Sequence, residues 1–284
     1  MDTLPAWHQS RSLYFVINTY DSITADATLQ FMHEAFHELL QPYVPDDTEY
    51  AIVYYKGKPP TSKLQRPNTV NWQKLRAAFP VRACEVQFDR QSNIKRWTTT
   101  GVGGAAVNFE DDPARTSYLT FNIKVEEAYP DSQVPFLVQS KVVELATSLF
   151  ETVSGVTGYI TVDYVGANCF FTDSPYERWI GYSSIWASRE YRIRTRGYYW
   201  GNFISIGHVE LLGGIEKLKQ APVFLLKELG NGYYFQLTDD INNIDRNKLH
   251  EFKRFLEPVL PRLPEDWPYP PKRHDTQGPI DYVL

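Results

Sequence analysis

The sequence predicts an α+β protein built as two halves of similar β-α-β-α-β-β order, with helices packed on largely antiparallel or mixed sheets. Three observations carry that prediction. Strand-like alternation of apolar residues occurs near the start and again in mid-chain. Each alternating run is followed by a longer apolar stretch with helical spacing. Each half then closes on two short runs that read as a strand pair.

In the first half, Leu13, Phe15 and Ile17 alternate in a strand that ends near Tyr20. A helix is expected from about Thr24 to Gln41, where Pro42 stops it. Tyr50 to Tyr55 reads as a buried strand, and Val70 to Phe79 as a shorter helix ended by Pro80. Cys84, Val86 and Phe88 alternate with Glu85, Gln87 and Asp89, the pattern of a strand buried on one side. Asp89 to Asn93 is turn-like, and Ile94 to Thr99 is the expected hairpin partner.

The second half opens on the clearest strand signal. Leu119, Phe121, Ile123 and Val125 point one way, and Tyr118, Thr120, Asn122 and Lys124 the other. A long apolar helix follows, with Asp131 or Ser132 as its expected cap, reaching about Val153 with Gly155 just beyond. Tyr159 to Val165 is the next strand, and a short helix lies near Gly207 to Leu212. Val223 to Lys227 and Tyr233 to Thr238 form a hairpin around Gly230-Asn231-Gly232. The last helix carries Leu249, Phe252, Phe255, Leu256 and Val259 before Pro261. The organisation read from this order is an N-terminal half over 1–112, a C-terminal half over 113–264, and a proline-rich tail over 265–284.

Composition narrows the function classes. The 284 residues are 43% hydrophobic and 15% aromatic, enough to bury a core. The formal net charge is −5 and the sequence pI about 5.7, so the chain lacks the basic footprint of a general nucleic-acid binder. No stretch is long and apolar enough to span a bilayer, and the N-terminus does not read as a secretory signal. Two cysteines, Cys84 and Cys169, give no disulfide framework. The expected location is cytoplasmic.

Several motifs invite chemistry. His33-Glu34-Ala35-Phe36-His37 matches the zinc-peptidase pattern, in which histidines one turn apart hold the metal and the glutamate activates water. No third ligand follows it. His33 falls at the edge of the helix's apolar stripe, and His37 lies closer to the polar side. Gly101-Val102-Gly103-Gly104-Ala105-Ala106 fits a relaxed dinucleotide fingerprint. The residues after it, Asn108 to Pro113, read as an acidic loop where a phosphate site needs a helix N-terminus. Gly181 to Ile185 lacks the second glycine of a nucleophile elbow. Arg189, Arg192, Arg194 and Arg196 form a basic run. If it is extended, the last three share one face, with Tyr191 and Ile193 on the other.

The segment from Gly197 to Pro264 contains Trp200-Gly201-Asn202, His208, Leu212-Gly213-Gly214, Gln236-Leu237-Thr238 and Leu256-Glu257-Pro258-Val259-Leu260-Pro261. On these residues the chain resembles the bacterial type VI secretion immunity family whose members pair with VRR-Nuc nuclease effectors. Read physically, the same residues are structural: glycines that stop a short helix, an anchoring Trp200 and Phe203, and His208 as a packing or capping residue. What the resemblance implies is a non-catalytic protein without metal or cofactor. It would occlude a cognate nuclease toxin, contacting neither nucleic acid nor membrane directly. Nuclease grooves are basic, so acidic and aromatic side chains are the expected contacts: Glu110, Asp111, Asp112, Asp173, Tyr176 and Trp179. The alternative reading is a zinc-dependent hydrolase that uses His33, Glu34 and His37.

Overall fold

The structure is a computed structural model, and it describes residues 11–40, 49–55, 61–65, 85–91, 99–107, 116–129, 131–164, 190–195 and 197–260. The fold is α+β. Ten strands form one sheet: β1 (Arg11–Thr19), β2 (Glu49–Tyr55), β3 (Thr61–Gln65), β4 (Glu85–Gln91), β5 (Thr99–Val107), β6 (Ser117–Lys124), β7 (Thr157–Tyr164), β8 (Gly201–Ser205), β9 (Leu225–Leu229) and β10 (Gly232–Gln236). Their order across the sheet is β3-β2-β4-β5-β6-β1-β7-β8-β10-β9, and every neighbouring pair is antiparallel. The expected choice between antiparallel and mixed sheets therefore resolves to antiparallel.

At the centre, β1 is hydrogen-bonded to β6 on one side and β7 on the other, with Phe15 opposite Phe121 and Ile160. A strand from the first half thus lies between two strands of the second, and the division at 112 and 113 runs through a single sheet. Outward from the β6–β1 pair, each wing holds four strands, yet the chain visits them in opposite order. It fills the outer pair β2 and β3 before β4 and β5 in one wing, and β7 and β8 before the outer pair in the other.

One face of the sheet carries Leu13, Phe15, Ile17, Leu119, Phe121, Ile123 and Ile160, all buried. Against it pack α1 (Ala25–Glu34) and α3 (Phe136–Thr152), which precede and follow the short α2 (Val125–Ala128). Phe15 stacks on Phe121 at 5.7 Å and meets Phe31 of α1 edge-on at 6.0 Å. Burial of each such ring is worth about 2–3 kcal/mol, which makes this layer the main source of cohesion. The opposite face holds Tyr14, Val16, Tyr159 and Tyr199 in a second, smaller cluster. The alternation at Leu13, Phe15 and Ile17 therefore marks only one of two buried faces.

Helix ends follow the expected chemistry with some differences. Thr24 caps α1, its hydroxyl accepting from the Ala27 N–H at 3.1 Å. A π-helical segment, Ala35–Leu40, continues it to the predicted end. α3 starts after Pro135, so neither Asp131 nor Ser132 caps it. At its C-terminus the Gly155 N–H bonds to the Phe150 carbonyl at 2.7 Å and the Ser154 N–H to the Glu151 carbonyl at 3.3 Å. The left-handed residue of that stop is Ser154, with φ 50°, and not Gly155. The same pair of bonds closes α4 (Ile206–Leu211), where Gly213 and Gly214 take φ of 100° and 87°. The short α5 (Ile215–Leu218) follows at once, and α6 (Arg246–Leu256) packs Phe252 and Phe255 against Phe235 of β10.

Three strands depart from the sequence reading, one of them β3, which no expected element covers. The partner of β4 is Thr99–Val107, so the glycine run from Gly101 to Ala106 is strand, with Gly104 opposite Phe121 of β6. β8 has no counterpart among the predicted elements. The expected helix at 70–79 and the loop at 108–113 lie outside the described residues.

Candidate functional site

The residues that carry the resemblance come together at the outer end of the second wing, and they build its scaffold. Asn202 clasps its own loop: its Oδ1 accepts from the Tyr199 N–H at 2.9 Å, and its amide donates to the Tyr199 carbonyl at 2.7 Å. The buried Trp200 indole donates to both the carbonyl and the hydroxyl of Thr238, at 3.0 and 3.1 Å. Gln236 donates to the Thr238 carbonyl at 2.9 Å, and the Thr238 hydroxyl donates to the Asp240 carbonyl at 2.8 Å.

Gln139, on α3, completes the arrangement. Its amide nitrogen donates to the Val134 carbonyl and to Asp240 Oδ1, both at 2.8 Å, and its oxygen accepts from the Ile241 N–H at 3.0 Å. Asn242 repeats the pattern, accepting from the Val134 N–H at 2.8 Å and donating to the Val134 carbonyl at 2.9 Å. Two amides thus lock the start of α3 to the turn after β10, leaving the participating buried groups satisfied.

Above this network a cleft opens, with a cavity of about 290 Å³. One wall is α3, through Phe136, Gln139, Ser140, Val143, Glu144 and Thr147; Trp200, Lys227, Gln236 and Asp239 complete the lining. Lys227 and Gln236 share the helix-covered face of β9 and β10, where Gln236 pairs with Leu225. Beside the lining residues Phe136 and Gln236, large apolar side chains stand exposed: Phe136 itself at 62%, its neighbour Leu137 at 69%, and Phe224 and Leu225, whose backbone pairs with Gln236, at 58% and 39%. Lys141 bridges Glu38 at 3.2 Å and Glu144 at 3.7 Å, and its hydrogen bond to Glu38 raises its pKa. Among the described residues Asp239 and Lys227 enter no ion pair.

His208 is fully buried at the start of α4. Its Nδ1 accepts from the Ser205 N–H at 3.2 Å and lies 3.0 Å from the Ser205 hydroxyl, closing a capping box in which histidine takes the usual place of Glu or Gln. Burial drives its pKa down from 6.5 to about 4, against a smaller upward pull from the Arg194 backbone. The ring is neutral at physiological pH and serves the helix start. Burial also raises the pKa of Tyr234, whose hydroxyl donates to Gln236 at 3.4 Å.

The other sequence candidates fare differently. In the zinc-peptidase pattern, α1 ends at Glu34 and the π-helical segment begins at Ala35, inside the motif. His33 is exposed, Glu34 accepts from Gln30 at 2.9 Å, and the side chain of His37 lies outside the described residues. Among the described residues, no group of three His, Cys, Asp or Glu side chains is placed to hold a metal ion. The described part of the arginine run, residues 190–195, is not a strand. Glu190 to Ile193 form a turn in which the Glu190 carbonyl accepts from both the Ile193 and Arg194 N–H groups. Arg192 stacks 4.2 Å over the Tyr20 ring, while Arg194 donates to the Pro258 carbonyl at 2.7 Å, so they do not present one basic face. The six expected contacts, Glu110, Asp111, Asp112, Asp173, Tyr176 and Trp179, lie outside the described residues. The cleft gives no signal in the sequence: six of its lining residues share one face of α3, but the rest come from the stretch between Trp200 and Asp239, and only the fold brings the two sets together.

No family model and no curated protein matches the sequence. Among solved structures, the fold is similar to that of the Pseudomonas aeruginosa T6SS protein PA0821, with a TM-score of 0.57 over 88% of this chain and 76% of that one. The two share 12% sequence identity, so the likeness is one of fold. Among the described residues, no helix is long and apolar enough to cross a membrane.

Proposed function

We propose that the protein is a type VI secretion immunity protein, which binds a cognate nuclease toxin and occludes it in the cell that makes both. The observation that carries this reading is the fold shared with PA0821, itself described as a T6SS protein. The motifs from Trp200 to Pro261 add to it, because they form the wing on which the cleft is built. The protein works by binding and not by turnover, and the toxin is of the VRR-Nuc DNase type. The apolar mouth of the cleft supports a binding role, since large exposed aromatic and aliphatic side chains on one rim are the usual anchors of protein contacts. Two assays test the reading: growth of bacteria expressing the toxic domain with and without this protein, and isolation of a stable complex of the two. Rescue with a one-to-one complex is the expected result. Failure to rescue with folded protein present refutes it.

A further inference from the structure

The cleft has a composition that specifies more than a generic apolar contact. Apolar side chains adjoin it: Phe136 lines it, Leu137 follows Phe136, and Phe224 and Leu225 lie on the strand edge bonded to the lining Gln236, all four exposed. Its lining carries two carboxylates, Glu144 and Asp239, against one ammonium, Lys227. Asp239 has no ion-pair partner among the described residues, and Glu144 is held only at 3.7 Å by a lysine that Glu38 binds more closely. The Phe136 ring, 62% exposed, belongs to the same lining and adds an accessible aromatic to the carboxylates. A cavity of about 290 Å³ is on the scale of one long side chain with its neighbours, and small for a drug-sized ligand.

We propose that this cleft is where the protein grips its partner, by receiving a lysine or arginine side chain of that partner between Glu144 and Asp239 while flanking apolar residues seat on the rim. The occupant is a basic protein surface. The inference deepens the immunity reading and rests on it, since a nuclease must present cations to its phosphate substrate. It rests on residues other than the expected Glu110, Asp111 and Asp112, which lie outside the described residues. The two parts of the grip have separate signatures. The carboxylates set the salt dependence and the association rate, and the apolar rim slows dissociation.

The test uses the full chain and the toxic domain encoded beside it, with binding followed by calorimetry across a salt series. Glu144→Gln combined with Asp239→Asn is expected to weaken binding at least tenfold and to flatten its salt dependence. Phe136→Asp combined with Leu137→Asp is expected to weaken it at least tenfold through faster dissociation. All four side chains lie on the surface or the cleft wall, so an unchanged unfolding midpoint shows that each variant is folded. If wild type binds and both double variants bind within twofold of it, the cleft proposal is overturned and the immunity reading stands. If wild type does not bind, both fall. A wild-type dimer that Phe136→Asp with Leu137→Asp separates would give the cleft to a second copy, and would equally overturn the proposal.

Discussion

Acidification tests the role of His208 directly, because the structure fixes both the sign and the size of the effect. The ring is buried, and its Nδ1 accepts from the Ser205 N–H, which a protonated nitrogen cannot do. The folded state therefore resists protonation until pH falls to about 4, whereas the unfolded chain takes up the proton near 6.5. Above pH 6.5 both states are neutral at this site and its contribution to stability is complete. Between 6.5 and 4 the unfolded state binds the proton that the folded state refuses, so stability falls as pH falls. Below 4 both states are protonated and the slope from this group ends. At about 1.36 kcal/mol per pH unit, the interval from 6.5 to about 4 amounts to ~3 kcal/mol. Urea unfolding at pH 7, 6, 5 and 4 would measure it for wild type and for His208→Asn, in which the amide oxygen can still accept from Ser205. The variant is expected to lose part of the packing at pH 7 and to show a shallower decline on acidification. Equal declines in the two proteins would mean that His208 titrates freely, and would refute its assignment as a buried neutral cap.

Two other perturbations follow from local geometry. A Cβ on Gly232 would lie 2.0 Å from the Ile204 carbonyl oxygen, so Gly232→Ala must part β8 from β10; a loss of ~3 kcal/mol or more is expected in the unfolding midpoint, and a loss below ~1 kcal/mol would contradict the register. Ser154 holds the left-handed position after α3 with φ 50°, a conformation that glycine adopts at less cost; Ser154→Gly is expected to raise stability by ~1 kcal/mol in thermal or urea unfolding, and a destabilised variant would show that the serine side chain matters more than the backbone.

How much of this was legible depends on whether the signal is local. β1 and β6 were readable because Leu13, Phe15 and Ile17, and Leu119, Phe121 and Ile123, face one helix-covered layer and so repeat every second residue. β8 was not, since its residues Gly201 to Ile204 are buried on both faces and begin with Gly-Asn, which reads as a turn. β5 hides for a related reason: it is built largely of glycine and alanine, with Gly104 opposite Phe121 of β6, and small residues show no apolar alternation. The arginine run misled because period-two spacing of like residues does not by itself make a strand; here the Glu190 carbonyl closes a turn. At the site, Trp200, Gln236 and Thr238 were noted as motif, yet Gln139 and Asn242 gave no sign. Each is a lone amide that also bonds the backbone about a hundred residues away, and only tertiary packing makes that contact.

On the proposed function, the protein neutralises a toxin by holding it. The most direct measurement is survival of bacteria that express the neighbouring effector's toxic domain in the cytoplasm, with this protein supplied from a second plasmid. Restored growth, with the two proteins recovered as a one-to-one complex, is expected. Continued killing in the presence of folded, abundant protein would contradict it.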